Sequence, residues 1–97
     1  MKLEVKKEGI TVFDGAVDKK IITVGRGSAS DVIIDAENCS RVHLEIEKKE
    51  DGIYIRNLST ANWTIFNGEK ISSEQGIQYF GFFDLELPGE IFIKIED

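Results

Sequence analysis

Apolar residues alternate with polar or charged residues along almost the whole chain, with a period of two. This period places one row of side chains on each face of a strand, so each run predicts a strand with one face in the core and one in water. No stretch of ten or more residues shows a helical period. The sequence therefore predicts an all-β protein. The runs are Leu3–Val5, Ile10–Val12, Ile22–Val24, Val32–Ile34, Val42–Ile46, Ile53–Ile55, Phe83–Leu87 and Ile91–Ile95.

Turn-forming residues separate these runs at short intervals. Glu50-Asp51-Gly52 and Asn67-Gly68 predict hairpin turns, and Asp14-Gly15 and Pro88-Gly89 predict further breaks. Many short strands divided in this way indicate an antiparallel sandwich or barrel. The final run, from residue 90 to residue 97, is expected to lie beside the first. A chain of 97 residues fits one domain, which we place at residues 1–97.

The composition excludes several classes of function. With 12 basic and 18 acidic residues the net charge is −6, which argues against non-specific nucleic-acid binding and against docking on an anionic membrane. Cys39 is the single cysteine, so it has no internal disulfide partner, and a reducing cytoplasm is the expected location. No apolar run reaches the roughly 18 residues of a membrane span. The chain can still be a piece of a longer protein.

Arginine is scarce in this chain and is placed unevenly. There are three arginines against nine lysines, and Arg26 and Arg41 lie beside small or polar residues. Both fall in segments that interrupt the strand pattern and are rich in Ser, Thr, Asn and Gly. An arginine fork suits a fixed grip on phosphate oxygens. Loops on a rigid sandwich are the usual place for binding residues. The interrupting segments are 25–31, 35–41 and 57–63.

Three short motifs stand in order along these segments. They are Gly25-Arg26, then Ser40-Arg41-Val42-His43, then Leu58-Ser59-Thr60-Ala61-Asn62-Trp63-Thr64, which leads into Asn67-Gly68. In order and spacing they resemble the forkhead-associated (FHA) domain, over about residues 22–95. The resemblance implies a β-sandwich of about eleven short strands, with loops at one end that bind phosphothreonine peptides.

The resemblance also implies roles for individual residues. Arg26 matches the arginine that contacts the phosphate, and Ser40 matches the serine that holds a phosphate oxygen. Arg41 would lie along the peptide or near the phosphate. Asn62 matches the asparagine that hydrogen-bonds the peptide main chain. Such a site needs no general base, nucleophile, cofactor or metal.

Other matched positions imply support for the site, and two depart from the family pattern. Gly25 and His43 match structural residues, and Thr60 stands where the family usually has Ser. Ala61 replaces a Thr that adds a phosphate contact in some members, and we expect its backbone N–H to serve instead. Trp63 stands where the family usually has Gly. It is expected to reshape the loop, shift the neighbouring asparagine or offer an aromatic surface, and its place between core and surface stays open.

Each site residue also has an ordinary alternative role. Arg26 could pair with Asp31 or Asp35, and Ser40, Arg41 and Asn62 could be turn or surface residues. Asp31 is expected to order its loop by local hydrogen bonds.

The predicted function is a phosphothreonine-dependent protein-interaction module, not an enzyme. The alternative is an FHA-like scaffold that docks a partner independently of phosphorylation. A Ser40–His43 catalytic pair is disfavoured because the two residues are three apart at the junction of a loop and a strand. His43 is the only histidine, which rules out a multi-histidine metal site. Cys39 is expected to be a small semi-buried residue and not a nucleophile.

Overall fold

The computed structural model describes residues 1–71, 74–77 and 82–96, and these residues form eleven strands and no helix. Most strands coincide with the alternating runs of the sequence. They are β1 (Lys2–Lys7), β2 (Ile10–Ala16), β3 (Ile21–Gly25), β4 (Val32–Ile33), β5 (Leu44–Lys49), β6 (Gly52–Asn57), β7 (Ile65–Phe66), β8 (Glu69–Lys70), β9 (Glu74–Ile77), β10 (Phe82–Leu87) and β11 (Ile91–Glu96).

The strands form two sheets. One sheet has six strands in the order β2-β1-β11-β10-β7-β8, and the other has five in the order β4-β3-β5-β6-β9. The strand pairs are antiparallel except for β3 with β4, so the predicted antiparallel sandwich is confirmed. The last strand lies beside the first, with Leu3 opposite Ile95, as the sequence predicted. Asp97, the end of the predicted final run, lies outside the described residues.

The core is a single cluster of apolar side chains drawn from both sheets. Leu3 and Val5 of β1, Ile22 of β3, Ile46 of β5 and Ile93 of β11 are all fully buried in it. Their polar neighbours along each strand point to water, as the period of two requires. Among the described residues, every buried polar side-chain atom has a hydrogen-bond partner. No helix of the described residues is long and apolar enough to cross a membrane.

The prediction for β2 was wrong in two respects. Ile10 and Val12 are 69% and 47% exposed, because β2 is an edge strand and its register against β1 shifts between Val5 and Lys6. Phe13 packs against the core instead. Asp14-Gly15 is not a break but lies inside β2. The local turn is Glu8-Gly9, where both residues have positive φ (52° and 80°).

The other predicted turns are confirmed. Asn67-Gly68 joins β7 to β8 with φ angles of 54° and 81°, the left-handed pair that a tight two-residue hairpin favours. Glu50-Asp51 joins β5 to β6, with Lys49 opposite Gly52. Pro88-Gly89 lies between β10 and β11. These turns join strands that are neighbours in a sheet and so fix their pairing.

The predicted strand from Val42 begins two residues later, at Leu44. Val42 is 45% exposed and His43 is fully buried, the reverse of the predicted alternation. Leu44 is paired with Val24 on one side and with Asn57 on the other. The loop after β3, the loop before β5 and the loop after β6 therefore meet at one end of the five-stranded sheet.

Candidate functional site

The loop after β3 is joined to the loop before β5 by backbone hydrogen bonds. The Arg26 N–H donates to the Ser40 carbonyl (2.9 Å), and the Gly27 N–H donates to the Arg41 carbonyl (3.0 Å). The Ser30 hydroxyl also donates to the Arg41 carbonyl (3.1 Å). Two loops that are far apart in sequence thus bring Arg26, Ser40 and Arg41 together.

Gly25 makes this junction possible. A Cβ atom at this position would lie 2.2 Å from the Arg41 carbonyl oxygen and 2.9 Å from the Ser40 carbonyl oxygen. Both are backbone atoms, so no side-chain rotation relieves the overlap. The Gly-Arg motif therefore places a residue without a side chain where two backbones touch, and puts the arginine immediately after it.

The loop before β5 is joined to the loop after β6 by side-chain hydroxyl and amide groups. The Ser40 Oγ lies 2.6 Å from the Ser59 Oγ, and the Asn62 Nδ2 donates to the Ser40 Oγ (2.9 Å). The Ser59 Oγ also accepts from the backbone N–H groups of Asn62 (2.8 Å) and Ala61 (3.2 Å). Asn62 is therefore held directly against Ser40.

His43 braces the same two loops from within the protein. Its Nδ1 accepts the Ser40 N–H (3.3 Å), so the proton of the neutral ring is on Nε2, which donates to the Trp63 carbonyl (2.9 Å). Its own carbonyl accepts the N–H groups of Leu58 and Ser59. Burial lowers the pKa of His43 below its ordinary value, and the bond to the Trp63 carbonyl offsets part of that shift.

The arginines of the site differ from the third arginine in their partners. Arg56 forms ion pairs with Glu45 (3.1 Å), Glu47 and Glu74 (3.2 Å). In contrast, neither Arg26 nor Arg41 has a carboxylate partner within the part of the chain that the structure describes. Two exposed arginines without anionic partners, in a chain of net charge −6, leave positive charge at this end available to an anion.

Among the described residues, the side chain of Arg26 has one hydrogen-bond partner. Its Nε donates to the Cys39 carbonyl (3.1 Å), which holds the guanidinium group beside the loop before β5. The two Nη groups make no hydrogen bond to the described residues, so they remain available as a fork. Beside it lies an open groove of about 410 Å³ lined by residues 26–30 with Arg41 and Val42.

The alternative pairing of Arg26 with Asp31 is not observed. The Asp31 carboxylate accepts the Thr23 N–H (2.9 Å) and the Lys19 ammonium group (2.7 Å). The hydrogen bond from Lys19 is the main reason that the pKa of Asp31 is lowered, followed by the bond from the Thr23 backbone. Asp31 thus orders its loop by hydrogen bonds, as the sequence predicted.

The remaining predicted residues occupy different places around the site. Ala61 is exposed, and its N–H donates to the Ser59 Oγ (3.2 Å); the use of this N–H on a phosphate stays a prediction. Thr60 is exposed and makes no side-chain hydrogen bond to a described residue; the hydroxyl that orders the loop belongs to Ser59. Sequence reasoning missed Ser59, although a serine whose hydroxyl accepts the N–H groups two and three residues on is a known turn pattern.

Trp63 has an ordinary backbone conformation, and the neighbouring Asn62 contacts Ser40. The φ angle of Trp63 is not positive, so the loop does not need the backbone conformation that favours glycine at this position. The indole is half-buried and lies outside the core cluster. Because its contact with His43 uses the backbone carbonyl, the loop accommodates this side chain without losing its brace.

The geometry does not support a Ser–His nucleophile. His43 contacts the backbone nitrogen of Ser40, while the Ser40 hydroxyl contacts Ser59 and Asn62. A general base must reach the proton of the nucleophile. Cys39 is buried, and burial raises the pKa of its thiol, which disfavours the reactive thiolate.

Because His43 is buried, we expect acid to destabilise the loop end, the end of the five-stranded sheet where the loops after β3, before β5 and after β6 meet. Because the pKa of His43 is lower in the folded than in the unfolded protein, the residue stabilises the fold above about pH 6.5, and this contribution is lost as the pH falls below that value. Protonation also places a donor at Nδ1 opposite the Ser40 N–H. Denaturant unfolding of the ligand-free protein is expected to show that the free energy of unfolding decreases as the pH is lowered from 7.5 to 5. A His43→Asn variant is expected to lose less stability over this pH range. If the free energy of unfolding fell equally with pH in both proteins, His43 would not be the group responsible.

Comparison with known proteins is consistent with this arrangement. Residues 22–79, more than half of the chain, match the model of the FHA domain. The structure is similar to the FHA domain of the CT664 protein from Chlamydia trachomatis (20% identity, 100% of this chain and 98% of that chain, TM-score 0.79). It is also similar to the FhaA FHA domain complexed with the intracellular domain of Rv3910 (20% identity, 94% of this chain and 96% of that chain, TM-score 0.73). A third similar structure comes from work on phosphothreonine-dependent FHA domain interactions (20% identity, 100% of this chain and 97% of that chain, TM-score 0.73). No curated protein matches the sequence.

Proposed function

The chain belongs to the FHA domain family, and on that premise we propose that its loop end binds a phosphorylated threonine in a segment of a partner protein. The observation that carries the proposal is that three joined loops bring together the Ser40 hydroxyl, the Asn62 amide bonded to it, and two arginines that have no carboxylate partner among the described residues. Each half of the ligand, the phosphate and the peptide backbone, has suitable partners there.

The phosphate half is served by Arg26, Arg41 and Ser40. A phosphate monoester carries close to two negative charges at neutral pH and offers three acceptor oxygens. The free Nη groups of Arg26 form a fork that matches two of these oxygens. Arg41 adds a second charge on the adjacent loop, and both arginines line or border the same groove.

The peptide half is served by Asn62. One of the two Nδ2 hydrogens is used on Ser40, which leaves one N–H donor and the Oδ1 acceptor unoccupied among the described residues. A peptide group offers one acceptor and one donor. Because Asn62 is held against Ser40, a main chain bound to the asparagine would lie beside a phosphate bound to the serine.

The partner is proposed to be a protein that carries phosphothreonine. In support, one similar structure is an FHA domain complexed with an intracellular domain of another protein, and another comes from work on phosphothreonine-dependent FHA domain interactions. We place the module in the cytoplasm, since its single cysteine is buried and unpaired and a kinase must reach its partner. Residues 1–97 are proposed to act as one unit, which can belong to a longer protein.

A degenerate peptide library tests this proposal. Peptides with a fixed phosphothreonine, with phosphoserine and with unmodified threonine are titrated against the chain by fluorescence anisotropy. Saturable binding is expected for phosphothreonine peptides and is expected to vanish after phosphatase treatment. Equal affinity for modified and unmodified peptides would instead favour the alternative, a scaffold that docks its partner independently of phosphorylation.

A further inference from the structure

We propose that Ser59 is a positioning residue that makes the Ser40 hydroxyl a donor toward the bound phosphate. This inference rests on the proposed function and gives a role to a residue of the third motif to which the sequence assigned none. It follows from counting protons and lone pairs along the hydrogen-bonded chain formed by Ala61, Asn62, Ser59 and Ser40.

The direction of the chain is set at Ser59. A hydroxyl has two acceptor lone pairs and one proton. Both lone pairs of the Ser59 Oγ are used by the N–H groups of Asn62 (2.8 Å) and Ala61 (3.2 Å). In the 2.6 Å contact between the two hydroxyls, Ser59 must therefore be the donor and Ser40 the acceptor.

The same count then applies to Ser40. Its Oγ accepts the Ser59 proton and one Nδ2 hydrogen of Asn62 (2.9 Å), so both of its lone pairs are occupied. Its own proton is left over, and no described residue accepts it. Ser40 therefore presents a hydroxyl that can only donate, and a phosphate offers only acceptors. Ser59 thus orients the Ser40 proton toward a phosphate oxygen without contacting the ligand itself.

A double-mutant cycle tests this role. The probe is a phosphothreonine peptide selected from the degenerate library, and the variants are Ser59→Ala, Ser40→Ala and the pair. Loss of Ser59 is expected to weaken binding by about three- to tenfold, the range of one net hydrogen bond. In the Ser40→Ala background the same change is expected to cost little, because the hydroxyl through which Ser59 acts is gone.

Two controls separate positioning from general loss of structure. Thr11→Ala removes an exposed hydroxyl of β2, in the other sheet, and is expected to leave affinity unchanged. Ser59→Thr keeps the hydroxyl and is expected to restore most of the affinity, while thermal unfolding shows whether each variant is folded at the binding temperature.

The outcomes distinguish this inference from the proposed function. If Ser59→Ala weakens binding by the same factor with and without Ser40, its effect is structural and the inference is overturned alone. If the unmodified chain ignores phosphorylation, the proposed function fails and the inference falls with it. A penalty that shrinks in the Ser40→Ala background supports both.

Discussion

Arg26→Ala is expected to weaken binding to a phosphothreonine peptide by about ten- to one-hundred-fold, as expected for losing charge-assisted hydrogen bonds of about 1.5–3 kcal/mol in total. The reason is the geometry of this side chain, whose Nε donates to the Cys39 carbonyl while its Nη groups have no hydrogen-bond partner among the described residues. Isothermal titration calorimetry measures the change. Arg26→Lys keeps the charge but lacks the fork, so its affinity is expected to fall between those of the alanine variant and the unmodified chain.

Lys49→Ala is the matched control for charge. Lys49 ends β5 at the opposite end from Leu44 and the site, about 17 Å away at the usual rise of a strand. The change removes one positive charge but no proposed contact, so affinity is expected to stay within about twofold. If Arg26→Ala and Lys49→Ala weakened binding equally, general electrostatic attraction and not a phosphate site would explain the result.

Gly25→Ala is expected to damage both the fold and the site. The new Cβ would lie 2.2 Å from the Arg41 carbonyl oxygen, so the backbone junction between the two loops must open. Overpacking of this kind typically costs about 1–3 kcal/mol of folding free energy, and we expect the upper end because backbone atoms are involved. Urea unfolding measures this cost, and peptide binding by the folded fraction is expected to be lost with it.

Gly15→Ala serves as the control for the glycine change. Gly15 also lies in a strand and lacks a positive φ, and the nearest atom to a new Cβ would be the Phe13 Cζ at 3.9 Å, an ordinary contact. Its stability is expected to change by less than about 1 kcal/mol, because no backbone atom must move. A Gly25→Ala protein that is as stable as Gly15→Ala and still binds would contradict the proposed role of the loop junction.

The fold could be predicted from the sequence because, in a strand with one face in solvent, the alternation of apolar and polar residues shows which side chains are buried. The prediction was wrong at Ile10 and Val12 because exposure there depends on a register shift against β1, which no local pattern reveals. It was also wrong at Val42, where alternation gives way to the buried His43. The His43 ring is buried because it makes hydrogen bonds to Ser40 and Trp63 in two different loops, and the period of two does not take such bonds into account.

The positions of the site residues could be predicted only through motif order and spacing. Arg26, Ser40, Arg41 and Asn62 are brought together at one end of the sandwich, although their binding roles remain proposals. The hydrogen bonds that join these residues through Ser59 could not be predicted, because they depend on which hydroxyl faces which backbone N–H. The motif indicated Thr60 as the supporting residue, whereas the hydrogen bonds are made by Ser59.

Amide chemical shifts measured by NMR during titration with a phosphothreonine peptide test the central claim most directly, because they report binding and its location together. We predict that the largest changes fall on residues 26–27, 40–41 and 59–62, and that the same peptide without phosphate leaves them unmoved. Unchanged spectra with both peptides, or changes confined to the outer faces of the sheets, would contradict a phosphothreonine site at the loop end.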